Sequence, residues 1–146
     1  MRVTDILKTW RISGSSILIE YFGGLIGTQV QTTLVAPTWV AAGTTIDCSL
    51  GDNFIVTLTA NTATTYLAPT NIPLTGRTKI ITITIANASG VAHGAQTMTG
   101  GAGGYRTQAA IPAIATGNQR TFAFRLDQTS GLWNEVWRTA ADVLNA

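Results

Sequence analysis

Residues 77–86 read RTKIITITIA and give the strongest strand signal in the chain. Isoleucine occupies positions 81, 83 and 85, and the alternate positions hold Ile80 and two threonines. Side chains on a strand alternate between two faces, and a run of β-branched residues favours a pleated sheet over a helix. The stretch therefore predicts a strand with Ile81, Ile83 and Ile85 in a core. Because the second face carries Ile80 rather than charges, we expect that side to be covered too.

The second clear signal is a hairpin near the C-terminus. Residues 121–127 place aromatic and aliphatic side chains at every second position, residues 128–131 form a turn, and residues 132–138 return. A turn between two alternating runs is typical of an antiparallel hairpin. One face is predicted to carry the large apolar residues of both strands, namely Phe122, Phe124, Leu126, Trp133 and Trp137.

The remainder of the chain reads as short strands separated by Gly, Pro, Asn and Asp. One pair, residues 44–50 and 53–59, flanks Gly51 and Asp52 and is predicted to be a second hairpin. About eight to ten short strands without a long helical period indicate an all-β fold, an antiparallel sandwich or barrel of jelly-roll-like type. We assign this β domain to residues 13–139 and a C-terminal tail to residues 140–146.

The first twelve residues have a different pattern. Val3, Ile6, Leu7 and Trp10 have the i, i+3, i+4, i+7 spacing of an amphipathic helix, although a strand is the alternative. So short a helix is unstable alone, so its apolar face must dock on its own domain, on a sister chain or on a partner. Residues 1–12 are therefore a predicted docking segment, with these four residues as the candidate partner-binding site.

The composition points to an assembled protein. Charged residues make up 11% of the 146 residues, against a typical ~25%, and 45% are hydrophobic. A surface with so few charges predicts that copies of the chain, or a larger assembly, cover much of it. The net charge is only +2 and the basic residues are not clustered, so nucleic acid is not an expected partner.

Membrane insertion, secretion and cysteine chemistry are not indicated. The apolar stretch 17–26 is interrupted by Glu20 and two glycines and is half the length of a membrane span, and no signal-peptide cleavage site follows the N-terminal region. A single cysteine, Cys48, excludes an intrachain disulfide and is expected to be a small buried hydrophobe.

The residues that carry catalysis in other proteins are sparse. His93 is the only histidine and lies in a glycine-containing loop, without a nucleophile elbow to work with. Asp47 and Asp52 are the only close pair of carboxylates and fit turn chemistry better than paired acid catalysis. We predict no enzymatic activity, no cofactor and no metal site.

Residues 90–104 contain six glycines and predict a loop. The run lacks the residues of a phosphate-binding loop, so close backbone approach to a neighbouring chain is the expected role. The candidate inter-chain contact residues are Gly100, Gly101, Gly103, Gly104 and Tyr105. Exposed tryptophans could instead stack on sugars, although core packing is the favoured interpretation of Trp133 and Trp137.

Five segments together resemble a β domain common in structural proteins of tailed bacteriophages, among them head fibres, capsid decoration proteins and tail-fibre modules. They are residues 49–61 (SLGDNFIVTLTAN), 68–71 (APTN), 76–83 (GRTKIITI), 122–127 (FAFRLD) and 133–136 (WNEV). The resemblance implies a homotrimeric virion protein without catalytic residues, made in the host cytoplasm, with the major capsid protein as partner. A decoration (cement) protein or short head fibre is expected. The alternative is a tail-fibre tip or carbohydrate-binding module that recognises a glycan or host receptor.

Overall fold

The computed structural model describes residues 7–13, 16–21, 24–25, 34–60, 62–72, 78–91 and 96–144, with side chains from residue 34 onward. It divides the chain into two units, Met1–Thr33 and Leu34–Ala146. No helix within the described ranges is long and apolar enough to cross a membrane. The predicted domain boundary between residues 12 and 13 falls inside the first strand rather than between the units.

The first unit contains three antiparallel strands in the order β1-β2-β3. They are β1 (Leu7–Ser13), β2 (Ser16–Tyr21) and β3 (Gly24–Leu25). The helical interpretation of the docking segment is wrong for Leu7 and Trp10, which lie in β1 opposite Tyr21 and Ile19. A short helix gains few hydrogen bonds for its nucleation cost, whereas β2 offers a complete antiparallel partner. Val3 and Ile6 lie outside the described residues.

The second unit is built on a large sheet with the strand order β4-β5-β7-β10-β11-β9, to which β12 adds beside β10. A smaller sheet pairs β6 with β8. The strands are β4 (Leu34–Val35), β5 (Asn53–Leu58), β6 (Thr64–Tyr66), β7 (Ile80–Asn87), β8 (Gln96–Met98), β9 (Tyr105–Arg106), β10 (Asn118–Leu126), β11 (Trp133–Arg138) and β12 (Val143–Leu144).

The predicted all-β class is confirmed, but the sheets are mixed rather than antiparallel throughout. β5 runs parallel to β4 and to β7, β6 runs parallel to β8, and β9 runs parallel to β11. The chain alternates between the sheets: β5 and β7 lie in the large sheet, and β6 and β8 in the small one. The pairs β5–β7 and β6–β8 are parallel because the chain passes through one strand of the other sheet between the two members of each pair and so returns in the same direction.

The predicted hairpin around Gly51 and Asp52 is therefore absent. Residues 44–48 do not pair with β5, and instead Thr44 and Asp47 form isolated bridges to Tyr66 and Thr70 beside the small sheet. In contrast, β10 and β11 form the predicted antiparallel hairpin.

Both sheets contribute to one hydrophobic core. The predicted alternation in β7 is confirmed, since Ile81, Ile83 and Ile85 are fully buried. Cys48 is buried as expected, and burial raises the pKa of its thiol to about 11. The core cluster comprises Ile46, Cys48, Phe54, Val56, Leu58, Tyr66, Ile81, Ile83, Ile85, Tyr105, Ile111, Ile114, Phe122, Phe124, Leu126 and Trp133.

Candidate functional site

The predicted docking segment can be placed only in part. Leu7 and Trp10 belong to β1, three residues apart on a strand whose register is irregular between Leu7 and Thr9. For this unit, the structure describes only the strands and their pairing. Neither of these tests docking through Val3, Ile6, Leu7 and Trp10, which stays a prediction.

The glycine loop has an intrachain reason for its composition. Gly101 and Gly103 have φ values of 87° and 73°, in the left-handed region that glycine adopts without strain. Gly104 is buried, and a Cβ at this position would lie 2.3 Å from the carbonyl oxygen of Thr99. The turn closes with hydrogen bonds from the Gly104 N–H to the Gly101 carbonyl and from the Tyr105 N–H to the Thr99 carbonyl, at 3.0 and 2.8 Å.

Tyr105, which we predicted to contact a sister chain, instead lies in the core. It is 4% exposed, and its ring meets the Phe124 ring edge-on with the centroids 4.9 Å apart. Burial raises the pKa of its hydroxyl. Parallel pairing with Trp133 accounts for this position, because residues paired in register face the same side of a sheet. Between Thr99 and Tyr105, the exposed residues are Gly100, Gly101 and Ala102.

A β-bulge in the C-terminal hairpin separates its two tryptophans. Phe124 lies opposite Glu135, and Ala123 lies opposite Trp137, so Val136 is an extra residue on β11. An extra residue shifts the alternation by one position. The prediction that Trp133 and Trp137 share a face is therefore wrong. Trp133 is fully buried, whereas Trp137 is 54% exposed on the opposite side of the sheet.

The side of the large sheet that faces away from the core is a coherent surface, which we call the outer face. Its residues form four rows that run across the strands, the fourth being Thr57, Ala86, Gln119 and Val143. The first row is Ile55, Thr84 and Thr121; the second is Asn53, Thr82, Ala123 and Trp137; the third is Ile80, Arg125, Asn134 and Arg106.

The polar groups in the first two rows bond to one another along the row. The Thr82 hydroxyl donates to the Asn53 side-chain oxygen at 2.6 Å, and the hydroxyls of Thr84 and Thr121 are 2.9 Å apart. Burying a polar group costs the least free energy when the group already has a hydrogen-bond partner within the protein. The outer face is thus suited to being buried by a partner.

Charges are almost absent from the outer face. Its only ionic side chains are Arg106 and Arg125, both in the third row, and none of its residues is acidic. The large apolar residues Ile80 and Trp137 are 52% and 54% exposed. The expectation that the Ile80 side is covered is therefore not met by the part of the chain that the structure describes.

The described carboxylates are engaged elsewhere. Asp47 accepts from the backbone N–H and hydroxyl of Ser49, which with Asn71 holds the pKa of Asp47 below its usual value, and Asp52 pairs with Lys79 at 2.8 Å. Glu135 and Asp142 form ion pairs with Arg138 and Arg120. Asp47 and Asp52 thus take turn and ion-pair roles.

The Glu135–Arg138 pair covers one edge of the core. Glu135 is buried on the core side of β11 and also accepts the backbone N–H of Gln108 at 2.9 Å. Arg138 lies over the Phe122 ring, 5.3 Å from its centroid, and donates to the carbonyls of Ala109 and Ala110. These bonds attach residues 108–110 to the hairpin, so the pair has a structural role.

A polar cleft of about 470 Å³ lies at the turn end of the β10–β11 hairpin, next to the third row of the outer face. Its lining residues are Thr78, Arg125, Leu126, Asp127, Gln128, Thr129 and Asn134. No sequence motif predicts this site, because its residues come from the hairpin turn, from the adjoining ends of β10 and β11, and from Thr78, which precedes β7. Trp137 is not among the lining residues.

His93 lies outside the described residues, so the absence of a catalytic role for it stays a prediction. Among the described residues, no group of three His, Cys, Asp or Glu could hold a metal ion. Comparison with protein-family models, with curated proteins and with solved structures found no match for this chain.

Proposed function

We propose that this chain is a non-enzymatic structural protein of a tailed-bacteriophage particle. In this proposal it forms a homotrimer that decorates and stabilises the head, as a cement protein or short head fibre bound to the major capsid protein. The five segments that resemble phage virion domains, from residue 49 to residue 136, support the choice of particle. The low charge content supports extensive coverage by other chains.

One observation carries the assembly part of the proposal, namely the outer face. It combines half-exposed large apolar residues, such as Ile80 and Trp137, with laterally bonded threonines and no carboxylate. Exposed large apolar residues surrounded by polar groups are typical of protein contacts. The edge strands of the large sheet are β4 and β9, each only two residues long. They therefore offer few unpaired backbone groups with which a partner strand could pair.

The oligomeric state tests this proposal directly. Light scattering on the purified chain should give about three times 15.4 kDa. Trp137→Ser should weaken association, since truncating a buried aromatic at an interface costs about 2 kcal/mol or more, roughly thirtyfold in affinity per site. Leu50→Ser is the matched control, because Leu50 is 55% exposed and lies off the outer face. A monomeric mass for the unmodified chain, or equal weakening by both substitutions, would contradict a trimer formed through this face.

Location in the particle needs a separate experiment. Imaging of purified particles should find the chain at local threefold positions of the head, and density at the tail tip alone would instead support receptor binding. Trp10→Ala tests the docking segment with less disruption than removal of residues 1–12, which would delete most of β1. We expect Trp10→Ala trimers to stay folded and to bind particles less tightly, with Thr9→Ala as the control. Undiminished particle binding would place attachment on the second unit.

A further inference from the structure

We propose that the cleft beside the hairpin turn binds an acidic saccharide, whose carboxylate is held by Arg125, which lines the cleft, and by Arg106, which lies in the same row just outside the lining. The two arginines flank Asn134 in the third row: Arg125 pairs with Asn134 across β10 and β11, and Asn134 pairs with Arg106 across β11 and β9. Neighbouring strands are about 4.8 Å apart, so the two arginine Cα atoms are separated by about 10 Å. Guanidinium groups at this spacing can reach one carboxylate from both sides, and each can bind it in a bidentate manner.

The local charge favours an anion. Both arginines are exposed, and neither takes part in the three ion pairs found in the described part of the chain. The one acidic residue that lines the cleft is Asp127, whose oxygens accept from the Ser130 hydroxyl at 2.6 Å and the Thr129 N–H at 2.9 Å. Those bonds, and to a smaller extent the charge of Arg106, hold the pKa of Asp127 below its usual value. Two arginines against one carboxylate leave the site with a positive charge.

The shape and lining of the cleft favour a sugar over an acidic side chain of another protein. Its volume of about 470 Å³ lies in the range of small-ligand pockets. Around the arginine it presents the hydroxyls of Thr78 and Thr129 and the side-chain amide of Asn134. A hexuronate has a carboxylate for the arginines and a ring of hydroxyls for these groups, whereas an Asp or Glu side chain has only the carboxylate.

Titration of the purified full chain with sodium glucuronate, followed by calorimetry or NMR, tests the inference. We expect saturable binding of glucuronate, at least tenfold weaker binding of glucose and of acetate, and at least a tenfold loss in Arg125→Gln and in Arg106→Gln. Thr57→Glu is the matched control: it lowers the net charge by the same amount, at an exposed position of β5 away from the third row, and should change the affinity less than twofold.

Three results would overturn the inference. They are equal binding of glucose and glucuronate, equal binding of acetate and glucuronate, and undiminished binding by both arginine variants. Circular dichroism of the variants confirms that they are folded. Because a trimer formed through the outer face would cover Arg125 and Arg106, the titration is repeated with Trp137→Ser, which weakens association. Binding by this variant supports the inference whatever the oligomeric state, whereas no binding by either protein overturns it without bearing on the decoration role.

Discussion

The two faces of the large sheet come from the same strands but have opposite chemistry. On β7, the core side holds three isoleucines that are completely buried, whereas the outer face holds two threonines and a half-exposed isoleucine. On β11, Trp133 is fully buried and Trp137 is 54% exposed, only four residues later. The core side stabilises the fold of the single chain, whereas Ile80 and Trp137 on the outer face are half-exposed to solvent.

The largest expected effect is on the core side. Phe124→Ala should lower the free energy of unfolding by about 3 to 5 kcal/mol, because the substitution removes buried aromatic surface and leaves a cavity beside Tyr105. Urea denaturation measures this change. A loss below about 1 kcal/mol would mean that the two faces are assigned the wrong way round.

Gly104→Ala should have the next largest effect. The new Cβ would meet the backbone of Thr99 and Gly100, at 2.3 and 2.8 Å, and such overpacking costs about 1 to 3 kcal/mol. The matched control is Gly100→Ala, whose Cβ would find only the Tyr105 carbonyl oxygen, 3.8 Å away. If both variants melt at the same temperature, the close approach at Gly104 is not what requires glycine in this loop.

A smaller effect is expected at the rim of the sheet, through Asp142. Burial works to raise its pKa, but the N–H of Ala115 and the Arg120 guanidinium outweigh it and leave the pKa below 3.8. Asp142 therefore stabilises the fold above about pH 3.8, and this contribution is lost as the pH falls through the folded-state pKa. Unfolding free energies between pH 5 and pH 2 should fall less steeply in Asp142→Asn than in the unmodified chain.

Val143→Asn provides the comparison for that titration, because Val143 is adjacent and does not titrate. It should keep the steeper pH dependence of the unmodified chain. An unchanged slope in Asp142→Asn would show that other carboxylates, such as Asp47 and Asp127, account for the acid sensitivity.

The smallest effect on folding should come from the outer face. Trp137→Ser is expected to change the unfolding free energy by less than about 0.5 kcal/mol when measured at concentrations too low for association. A loss comparable to that of Phe124→Ala would mean that Trp137 packs within its own chain and is not part of a contact surface.

Local alternation was sufficient to predict the core side. Isoleucines at every second position of β7, and Phe122, Phe124 and Leu126 on β10, are buried as expected, because each strand continues regularly over these residues. The core side of a regular strand follows from period two alone.

The outer face and the cleft could not be predicted from local sequence patterns, because they depend on a β-bulge and on pairing between strands that are distant in the chain. The bulge at Val136 reverses the alternation just before Trp137, and nothing in the residues around it distinguishes a bulge from a regular strand. Parallel pairing of β5 with β7 was missed because Gly51 and Asp52 favour a hairpin locally, whereas the actual partner is far along the chain. Arg125 and Arg106 could not be recognised as neighbours from the sequence, because β10 and β9 come together only by pairing with β11.

The alternation of strands between the two sheets also sets the order of events in folding. Asn53 and Thr82, partners across β5 and β7, are 29 residues apart, so a long loop must close before this pair can form. Sheets dominated by such distant pairs fold in milliseconds to seconds, whereas a hairpin forms in about 1 to 10 μs. The β10–β11 hairpin is therefore expected to form transiently first. The bulge that places Trp137 on the outer side of β11 can then form before β5 and β7 complete the outer face.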